Sequence, residues 1–262
     1  MKITEILKIG KNSIVSIVGA GGKTSLMFRL AEELRKKGRV LVTTTTKIYV
    51  PNKEQYDYLV VEEEGCDFFL KDKDVLTHLG SEVENLKSTG IWVYGEKING
   101  DNKLTAVSEK KLEQVIKLFD YVLIEADGSK GKPLKGWRKD EPIISSYTTC
   151  TIGVLSGRTL GLDIGEENIH RVNRFLGKAE GTVNVEDLME VIFNPSGMFN
   201  YSKGKRVLYI NQIDEEYVYK KNLDLISEII NENWKNGLLN QVIIGSTKNK
   251  NYINMDLGGQ DG

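Results

Sequence analysis

The chain contains few of the residues that build metal sites and disulfide frameworks. Its 262 residues include two cysteines, Cys66 and Cys150, and two histidines. The cysteines are far apart and form no C-x-x-C pair, which argues against a zinc site and fits a reducing cytoplasm. Each thiol is therefore interpreted as a buried inert side chain, with a carrier of sulfur or selenium as the alternative.

Charge and hydropathy exclude further classes of protein. The formal net charge is −1, so the chain has no general electrostatic attraction to nucleic acid or to membranes. No stretch approaches the roughly 18 consecutive apolar residues of a spanning helix, and the first ten residues lack the apolar centre of a signal peptide. We therefore expect a cytoplasmic protein without nucleic-acid or membrane partners, folded as one large domain over residues 1–262.

Apolar β-type runs alternate with helical patterns along the chain. This alternation predicts an α/β fold with a doubly wound, mostly parallel sheet and helices on both faces. Strands are predicted over 14–18, 40–44, 59–61, 91–94, 121–125, 150–155, 206–210 and 241–244. Helices are predicted over 26–37, after the N-caps Ser108 and Asn184, and around 226–234.

Three other segments have their own predictions. Residues 96–105 contain Asn-Gly and predict a short hairpin or loop. Residues 156–205 hold several glycines and two short helical patterns, which indicates a small inserted helical and loop subdomain over the sheet. Residues 249–262 are polar, and we expect them to form a fraying tail.

A glycine-rich turn lies between the first predicted strand and the first predicted helix. Its residues are Gly19, Ala20, Gly21, Gly22, Lys23, Thr24 and Ser25. Glycines let the backbone wrap a phosphate chain, and the helix N-terminus adds positive potential. Lys23 would neutralise the β- and γ-phosphates, and Thr24 would offer its hydroxyl to Mg²⁺. Ile17 stands where the standard G-x-x-x-x-G-K-[ST] pattern has glycine, and the alternative is a glycine turn followed by a chance Lys-Thr pair. The context predicts a P-loop NTPase that binds a nucleoside triphosphate.

Carboxylates follow the strand predicted at 121–125. Glu125 would organise Mg²⁺ together with Thr24, as in a Walker B strand, and Asp127 is the candidate for orienting the attacking water. Gly128 would donate its backbone N–H to the γ-phosphate, and Thr45 is a candidate sensor of the same phosphate. The alternatives are an ordinary acidic turn and threonines placed by β-propensity.

Five basic residues fall within positions 130–139. Four of them are candidates for an anionic second ligand or a switch loop: Lys130, Lys132, Lys135 and Arg138. His170 and Arg171, on a predicted helix, would join them. The alternative is a solvated surface loop.

Two later strand ends carry polar residues typical of a base pocket. Asn211 and Asp214 form an N-Q-I-D segment that resembles the N-K-x-D motif of guanine-binding proteins, with Gln212 in place of lysine. Ser246 lies in a G-S-T-K segment that loosely matches the S-A-K element. Together they predict a nucleotide-base pocket and leave guanine and adenine open.

These motifs together resemble the YqeC family over roughly residues 10–245. The segments that carry the resemblance are GAGGKTS, TTTTK, EADGSKGKPLK, EPI, IHRVNRF and NQID. The resemblance implies a cytoplasmic accessory protein that helps mature selenium-dependent molybdenum hydroxylases. Its partners would be the hydroxylase, its cofactor or a selenium donor. The E-x-x-G segment from Glu125 to Gly128 is also similar to the third GTPase motif of the SIMIBI-class GTPases of metallocentre assembly, which use hydrolysis to time cofactor delivery.

The sequence therefore predicts a slow NTPase that uses ATP or GTP with Mg²⁺ and acts as a maturation factor. Lys23, Glu125 and Asp127 are its candidate catalytic residues. One alternative is a P-loop kinase or transferase that activates a small anionic molecule. Another is a binding module that nucleotide switches without hydrolysis.

Overall fold

The computed structural model describes residues 1–62, 89–255 and 257. The helices are α1 (Ile3–Ile6), α2 (Lys23–Leu34), α3 (Glu109–Ile116), α4 (Val185–Phe193), α5 (Glu216–Lys221) and α6 (Leu223–Asn236). The strands are β1 (Ser13–Gly19), β2 (Arg39–Thr44), β3 (Lys47–Tyr49), β4 (Tyr58–Val61), β5 (Gly90–Gly95), β6 (Lys103–Thr105), β7 (Tyr121–Glu125), β8 (Leu134–Lys135), β9 (Cys150–Ser156), β10 (Ile169–His170), β11 (Lys205–Asn211), β12 (Gln241–Ser246) and β13 (Asn251–Met255).

Nine of the strands form one sheet in the order β13-β12-β11-β9-β1-β7-β2-β5-β4. Neighbouring strands are parallel except for the pair formed by β12 and the edge strand β13, which is antiparallel. The prediction of an α/β fold with a mostly parallel sheet is confirmed. Because the carboxyl ends of parallel strands meet at one edge, the ends of β1, β2, β7, β9, β11 and β12 lie together.

Helices cover both faces of the sheet, as the doubly wound pattern predicts. Alternate residues of a strand point to opposite faces. Val15 and Ile17 of β1 therefore join the core beneath α1 and α2, whereas Val18 joins the core beneath α4 and α6. The third cluster, beneath α3, includes Leu41 and Val122.

The helix starts follow from their caps. The Ser108 side chain accepts a hydrogen bond from the Lys111 amide at the start of α3. Asn184 and Asp187 cap each other's backbone at the start of α4, a reciprocal arrangement that satisfies two amides. Helix α2 ends at Leu34, three residues before its predicted end, because the chain tightens there and the Lys37 amide bonds the Leu34 carbonyl.

Three local predictions have different outcomes. The hairpin at 96–105 is confirmed by the bridge between Ile98 and Leu104. Residues 156–205 hold one α-helix rather than two, because 169–170 form β10 and pair with β8. Part of the polar tail is ordered: 251–255 form β13, and Tyr252 packs on the core beside Tyr209.

The helices of the described ranges are short. The longest, α6, has 14 residues. None of those in 1–62 and 89–255 has the length and apolar composition to cross a bilayer.

Candidate functional site

A cavity of about 810 Å³ opens at the carboxyl edge of the sheet. One group of its lining residues, here called the P-loop wall, consists of residues 21–25 and Glu125. A second group, here called the basic wall, consists of Lys130, Lys132, Arg138, His170 and Arg171. The cavity thus joins the predicted phosphate site to most of the predicted second-ligand site.

Glycine is required in the turn that enters the P-loop wall. Gly19, Gly21 and Gly22 have φ values of +94°, +90° and +113°, which L side chains rarely adopt. A Cβ on Gly19 would also lie 2.3 Å from the Val154 carbonyl oxygen. The turn is therefore pressed against β9, and Ala20 is held there by a 2.9 Å hydrogen bond from its amide to the same oxygen.

Thr24 and Glu125 meet at the base of the P-loop wall. The Thr24 hydroxyl donates a 2.6 Å hydrogen bond to the Glu125 carboxylate. Strands β1 and β7 are neighbours, with Ile17 in register with Glu125, so the two motifs end side by side. Glu125 is 6% exposed, and this burial raises its pKa. A hydroxyl and one carboxylate are the donors that a largely hydrated Mg²⁺ takes from proteins, so this pair fits the ion.

Lys23 lies in the floor of the P-loop wall and is almost fully buried. Its ammonium group donates to the Gly19 carbonyl oxygen at 2.8 Å and to the Ser129 hydroxyl at 3.3 Å. It also lies 3.3 Å from Asp127 Oδ1 and 4.0 Å from Glu125 Oε1. The positive charge is thus held between two carboxylates beneath the glycine turn.

Asp127 does not line the cavity and is fully buried. Its Oδ2 accepts hydrogen bonds from the Gly19 amide at 3.1 Å, from Lys135 at 3.2 Å and from the Trp137 indole at 3.1 Å. This position contradicts the prediction that Asp127 orients an attacking water. The carboxylate instead fixes the start of the glycine turn.

Lys135 is also fully buried, although it lies within the basic run. It donates to Asp127, to the Gly128 carbonyl oxygen at 2.9 Å and to Glu141 at 3.0 Å. With both carboxylates already bound to it, Lys135 has no side-chain surface toward a ligand. The prediction that it belongs to the second-ligand site is wrong.

The pairing of β8 with β10 assembles the basic wall. It places His170 in register with Lys135, so the predicted helix at His170 and Arg171 is wrong. Arg171 donates a 2.6 Å hydrogen bond to Glu141, and Arg138 lies 3.4 Å from the same carboxylate. Burial alone would raise the pKa of Glu141, but the Arg171 hydrogen bond and the Lys135 charge outweigh it and lower that pKa.

His170 is neutral at pH 7 in this environment. Burial, together with the charges of Arg171, Lys135 and Lys130, lowers its pKa to about 4. The basic wall therefore holds positive charge close to an uncharged imidazole.

The predicted base motif is tied to the glycine turn by Asn211. Its side-chain amide donates to the Gly21 carbonyl oxygen at 2.9 Å, and its oxygen accepts from the Thr247 amide at 3.0 Å. The structure thereby brings the N-Q-I-D and G-S-T-K segments to the P-loop. Asn211 is almost fully buried, and its side chain links the glycine turn to the segment at Thr247. We call this link the tether.

Asp214 and Ser246 come together as well, but neither lines the cavity. The Asp214 carboxylate accepts a hydrogen bond from the Ser246 hydroxyl and another, at 2.7 Å, from Arg158. Sequence reasoning missed Arg158, because only the adjacency of β9 and β11 brings it to Asp214. Gln212, in place of the usual lysine, does line the cavity.

Three further candidate residues line the cavity. Ser25 and Gly128 line the cavity. Thr45 does too, and its hydroxyl donates to the Ile143 carbonyl oxygen at 2.7 Å. Tyr49 and Lys103 also line the cavity but were not predicted from the sequence, because only the antiparallel pairing of β3 with β6 brings them there.

The described thiol has the properties of an inert side chain. Cys150 is buried, and burial raises its pKa to about 11. Cys66 lies outside the described residues. Among 1–62 and 89–255, no three histidine, cysteine or acidic side chains converge as a metal-binding group.

The fold and the site define an α/β protein with a P-loop-like turn beside a buried glutamate. A family model described as YqeC protein matches residues 15–173. The chain is also 34% identical over 212 residues to the YqeC protein of Escherichia coli strain K12, covering 78% of this chain and 77% of that protein. No solved structure matches. The chain therefore belongs to the YqeC family.

Proposed function

We propose that the protein binds a nucleoside triphosphate with Mg²⁺ at the P-loop wall and hydrolyses it slowly. The observation that carries this proposal is the 2.6 Å hydrogen bond between Thr24 and Glu125 at the end of the glycine turn. A hydroxyl at the start of a helix and a carboxylate at the end of the adjacent strand are the two groups that such proteins offer to the ion.

Each residue of the P-loop wall has a distinct task in this proposal. The helix N-terminus after Gly22 attracts the phosphate chain. Lys23 would exchange its hydrogen bond to the Gly19 carbonyl oxygen for phosphate oxygens, without leaving the cavity floor. Thr24 and Glu125 would hold Mg²⁺, which when bound supplies charge neutralisation at the phosphates.

Slow intrinsic hydrolysis follows from the position of the acidic side chains. The cavity-lining carboxylates among the described residues are Glu125 and Glu141. Glu125 is engaged with Thr24, and Glu141 with Arg171 and Lys135. With Asp127 buried, a group that orients water would come from a partner, and such a contribution is worth about 10³–10⁵ in rate.

For the biological role, we propose an accessory protein of the cytoplasm that acts in the maturation of selenium-dependent molybdenum hydroxylases. Membership of the YqeC family supports an accessory role in general, and the hydroxylase is the finer part of the proposal. The hydroxylase, its cofactor or a selenium donor would be the partner, and nucleotide turnover would time delivery.

The basic wall favours a second candidate function, that of a kinase or transferase. Lys130, Lys132 and Arg171 line the same cavity as the P-loop wall, so an anionic acceptor would have cationic contacts close to the γ-phosphate. Nucleotide turnover that begins only when an acceptor is added would favour this candidate over the slow NTPase.

Calorimetric titration with GTPγS and ATPγS, each with Mg²⁺, tests the nucleotide site. We expect Lys23→Ala to weaken binding by about 100-fold, equivalent to about 2.7 kcal/mol. Thr24→Val should abolish the gain in affinity that Mg²⁺ gives. Lys139→Ala is the matched control, because Lys139 is exposed and does not line the cavity.

The outcomes separate the candidate functions. Equal affinity of Lys23→Ala and the unaltered protein would refute the nucleotide site. Tight binding without phosphate release, even with the hydroxylase present, would leave a nucleotide-switched module. A preference for the guanine nucleotide would support the base motif at Asn211 and Asp214, whereas a preference for adenine would reduce that motif to a tether.

A further inference from the structure

We propose that the basic wall is a subsite for a small tetrahedral dianion, bound beside the γ-phosphate by Lys130 and Arg171. The inference deepens the proposed function and rests on it in one respect, namely that nucleotide occupies the P-loop wall. The ligand class is a free oxyanion of the phosphate type or the phosphate group of a small monoester.

The charge of the cavity exceeds what its carboxylates neutralise. Of the described residues that line it, seven are lysine or arginine and two are acidic. The whole chain has a net charge of −1, so this positive charge is a local concentration. A nucleotide already partly neutralised by Mg²⁺ would account for Lys23 and the glycine turn, and it would leave the basic wall with more positive charge than Glu141 neutralises.

Lys130 is a cation of the basic wall whose ammonium group has no protein partner among the described residues. Its side chain is exposed. By contrast, Lys132 donates to the Glu167 carbonyl oxygen at 2.9 Å, and Arg138 lies 3.0 Å from Asp140. A ligand would therefore meet Lys130 without first displacing a protein contact.

Arg171 is held in place rather than free. Its Nη1 donates to Glu141, and Lys135 fixes the same Glu141 oxygen at 3.0 Å. Because a guanidinium has five donors in a rigid fork, one anchored nitrogen leaves further N–H groups for a planar or tetrahedral oxyanion. Glu141 and Lys135 are thus positioning residues for Arg171.

The backbone brings the two ligand residues to one place at a conformational cost. Lys130 and Arg171 have φ values of +51° and +57°, a region that non-glycine residues seldom adopt and that clusters at ligand sites. The Gly136 amide donates to the His170 carbonyl oxygen at 2.8 Å, which clamps the two segments together. His170 lines the cavity next to Arg171 and, being neutral, can donate one hydrogen bond to an anion.

The test uses the full chain saturated with the nonhydrolysable nucleotide that it binds, together with Mg²⁺. Inorganic phosphate and phenyl phosphate are titrated separately, and the His170 ring signals are followed by NMR. We expect saturable binding that Lys130→Ala and Arg171→Ala each weaken by about tenfold or more. Lys139→Ala, a neighbouring lysine outside the cavity, should bind like the unaltered protein. Binding of phosphate alone would identify a free oxyanion, and tighter binding of phenyl phosphate would identify a monoester.

Failure of the subsite and failure of the nucleotide site give different results. The subsite alone would be overturned if nucleotide binds normally but phosphate does not shift the His170 ring signals. It would also be overturned if Lys130→Ala and Lys139→Ala bind phosphate equally well. If no nucleotide binds, the proposed function fails, and phosphate is titrated into the nucleotide-free protein. If Lys130→Ala then loses phosphate binding and Lys23→Ala keeps it, the subsite is supported. If Lys23→Ala loses phosphate binding and Lys130→Ala keeps it, the subsite is overturned. Lys130 is exposed, so its variant keeps the test valid even if Arg171→Ala does not fold.

Discussion

The two walls of the cavity are both cationic, yet their charges are held in different ways. On the P-loop wall, Lys23 is buried between Asp127 and Glu125. On the basic wall, Lys130 is exposed, while Arg171 is anchored through Glu141. The buried pair of Lys135 and Asp127 lies between the two walls and contacts both the glycine turn and Glu141. Lysines that look alike in the sequence therefore have three environments: buried beneath the glycine turn, buried between two carboxylates, and exposed at the cavity.

The largest effect is expected at the buried lysine that joins the walls. Lys135→Ala would leave Asp127 and Glu141 without their shared cation, and removing one partner of a buried ion pair costs about 3–5 kcal/mol. Urea denaturation followed by circular dichroism measures the change. Lys139→Ala should alter stability by less than about 0.5 kcal/mol. If the two variants unfold alike, Lys135 does not neutralise these carboxylates and the distinction between buried and free lysines fails.

The next effect concerns the tether behind the P-loop wall. Asn211→Ala removes the hydrogen bonds to Gly21 and Thr247, and we expect about tenfold weaker binding of ATPγS and GTPγS alike. Asp214→Ala, which leaves this tether intact, should alter guanine-nucleotide affinity only. Calorimetry with both nucleotides separates the two roles. A loss restricted to the guanine nucleotide in Asn211→Ala would place Asn211 at the base instead.

A smaller effect is expected in the titration of the basic wall. His170 should titrate near pH 4 by NMR, because burial and the neighbouring Arg171, Lys135 and Lys130 disfavour its charged form, while Glu141 opposes them only in part. Between pH 6.5 and 4 the unfolded chain binds more protons at this residue, so acidification through that window lowers stability. A bound anion should raise this pKa. Titration near 6.5, assigned with His170→Gln because His78 is the only other histidine, would refute the charged environment.

The smallest effect is expected far from both walls. Cys150 is the first residue of β9 and lies at the amino ends of the strands, whereas the cavity lies at their carboxyl ends. Its pKa of about 11 keeps the thiol protonated at neutral pH. Cys150→Ala should therefore change nucleotide affinity by less than about twofold. In a Cys66→Ser background, iodoacetamide should label Cys150 slowly until urea is added. Fast labelling of the native protein would revive the carrier hypothesis for this thiol.

Sequence patterns predicted best those elements whose residues interact over short distances. The glycine turn needs positive φ values at Gly21 and Gly22, and only glycine adopts them readily. The strand before Glu125 is apolar because both of its faces are buried. The N-caps Ser108 and Asn184 act within three residues of themselves. In each case the determining contact is local, so the chain order alone reveals it.

Prediction failed where distant segments decide the environment of a side chain. The spacing of the basic residues does not distinguish Lys135 from Lys130. Lys135 reaches Asp127 only because of the path that the chain takes between β7 and β8. His170 has a helical context in the sequence, but its backbone instead pairs with β8. Asp127 follows Glu125 by two residues, yet one carboxylate faces Thr24 and the other the Gly19 amide.

The sequence by itself determined the fold class, the glycine turn and the position of Glu125 beside it, because apolar periodicity and glycine conformation are properties of neighbouring residues. It also determined which segments end at the functional edge of the sheet. Only the tertiary structure decided which charges are available to a ligand. The burial and ion pairing of these side chains depend on which strands become neighbours. Here they follow from the strand order β9-β1-β7 and from the pairing of β8 with β10.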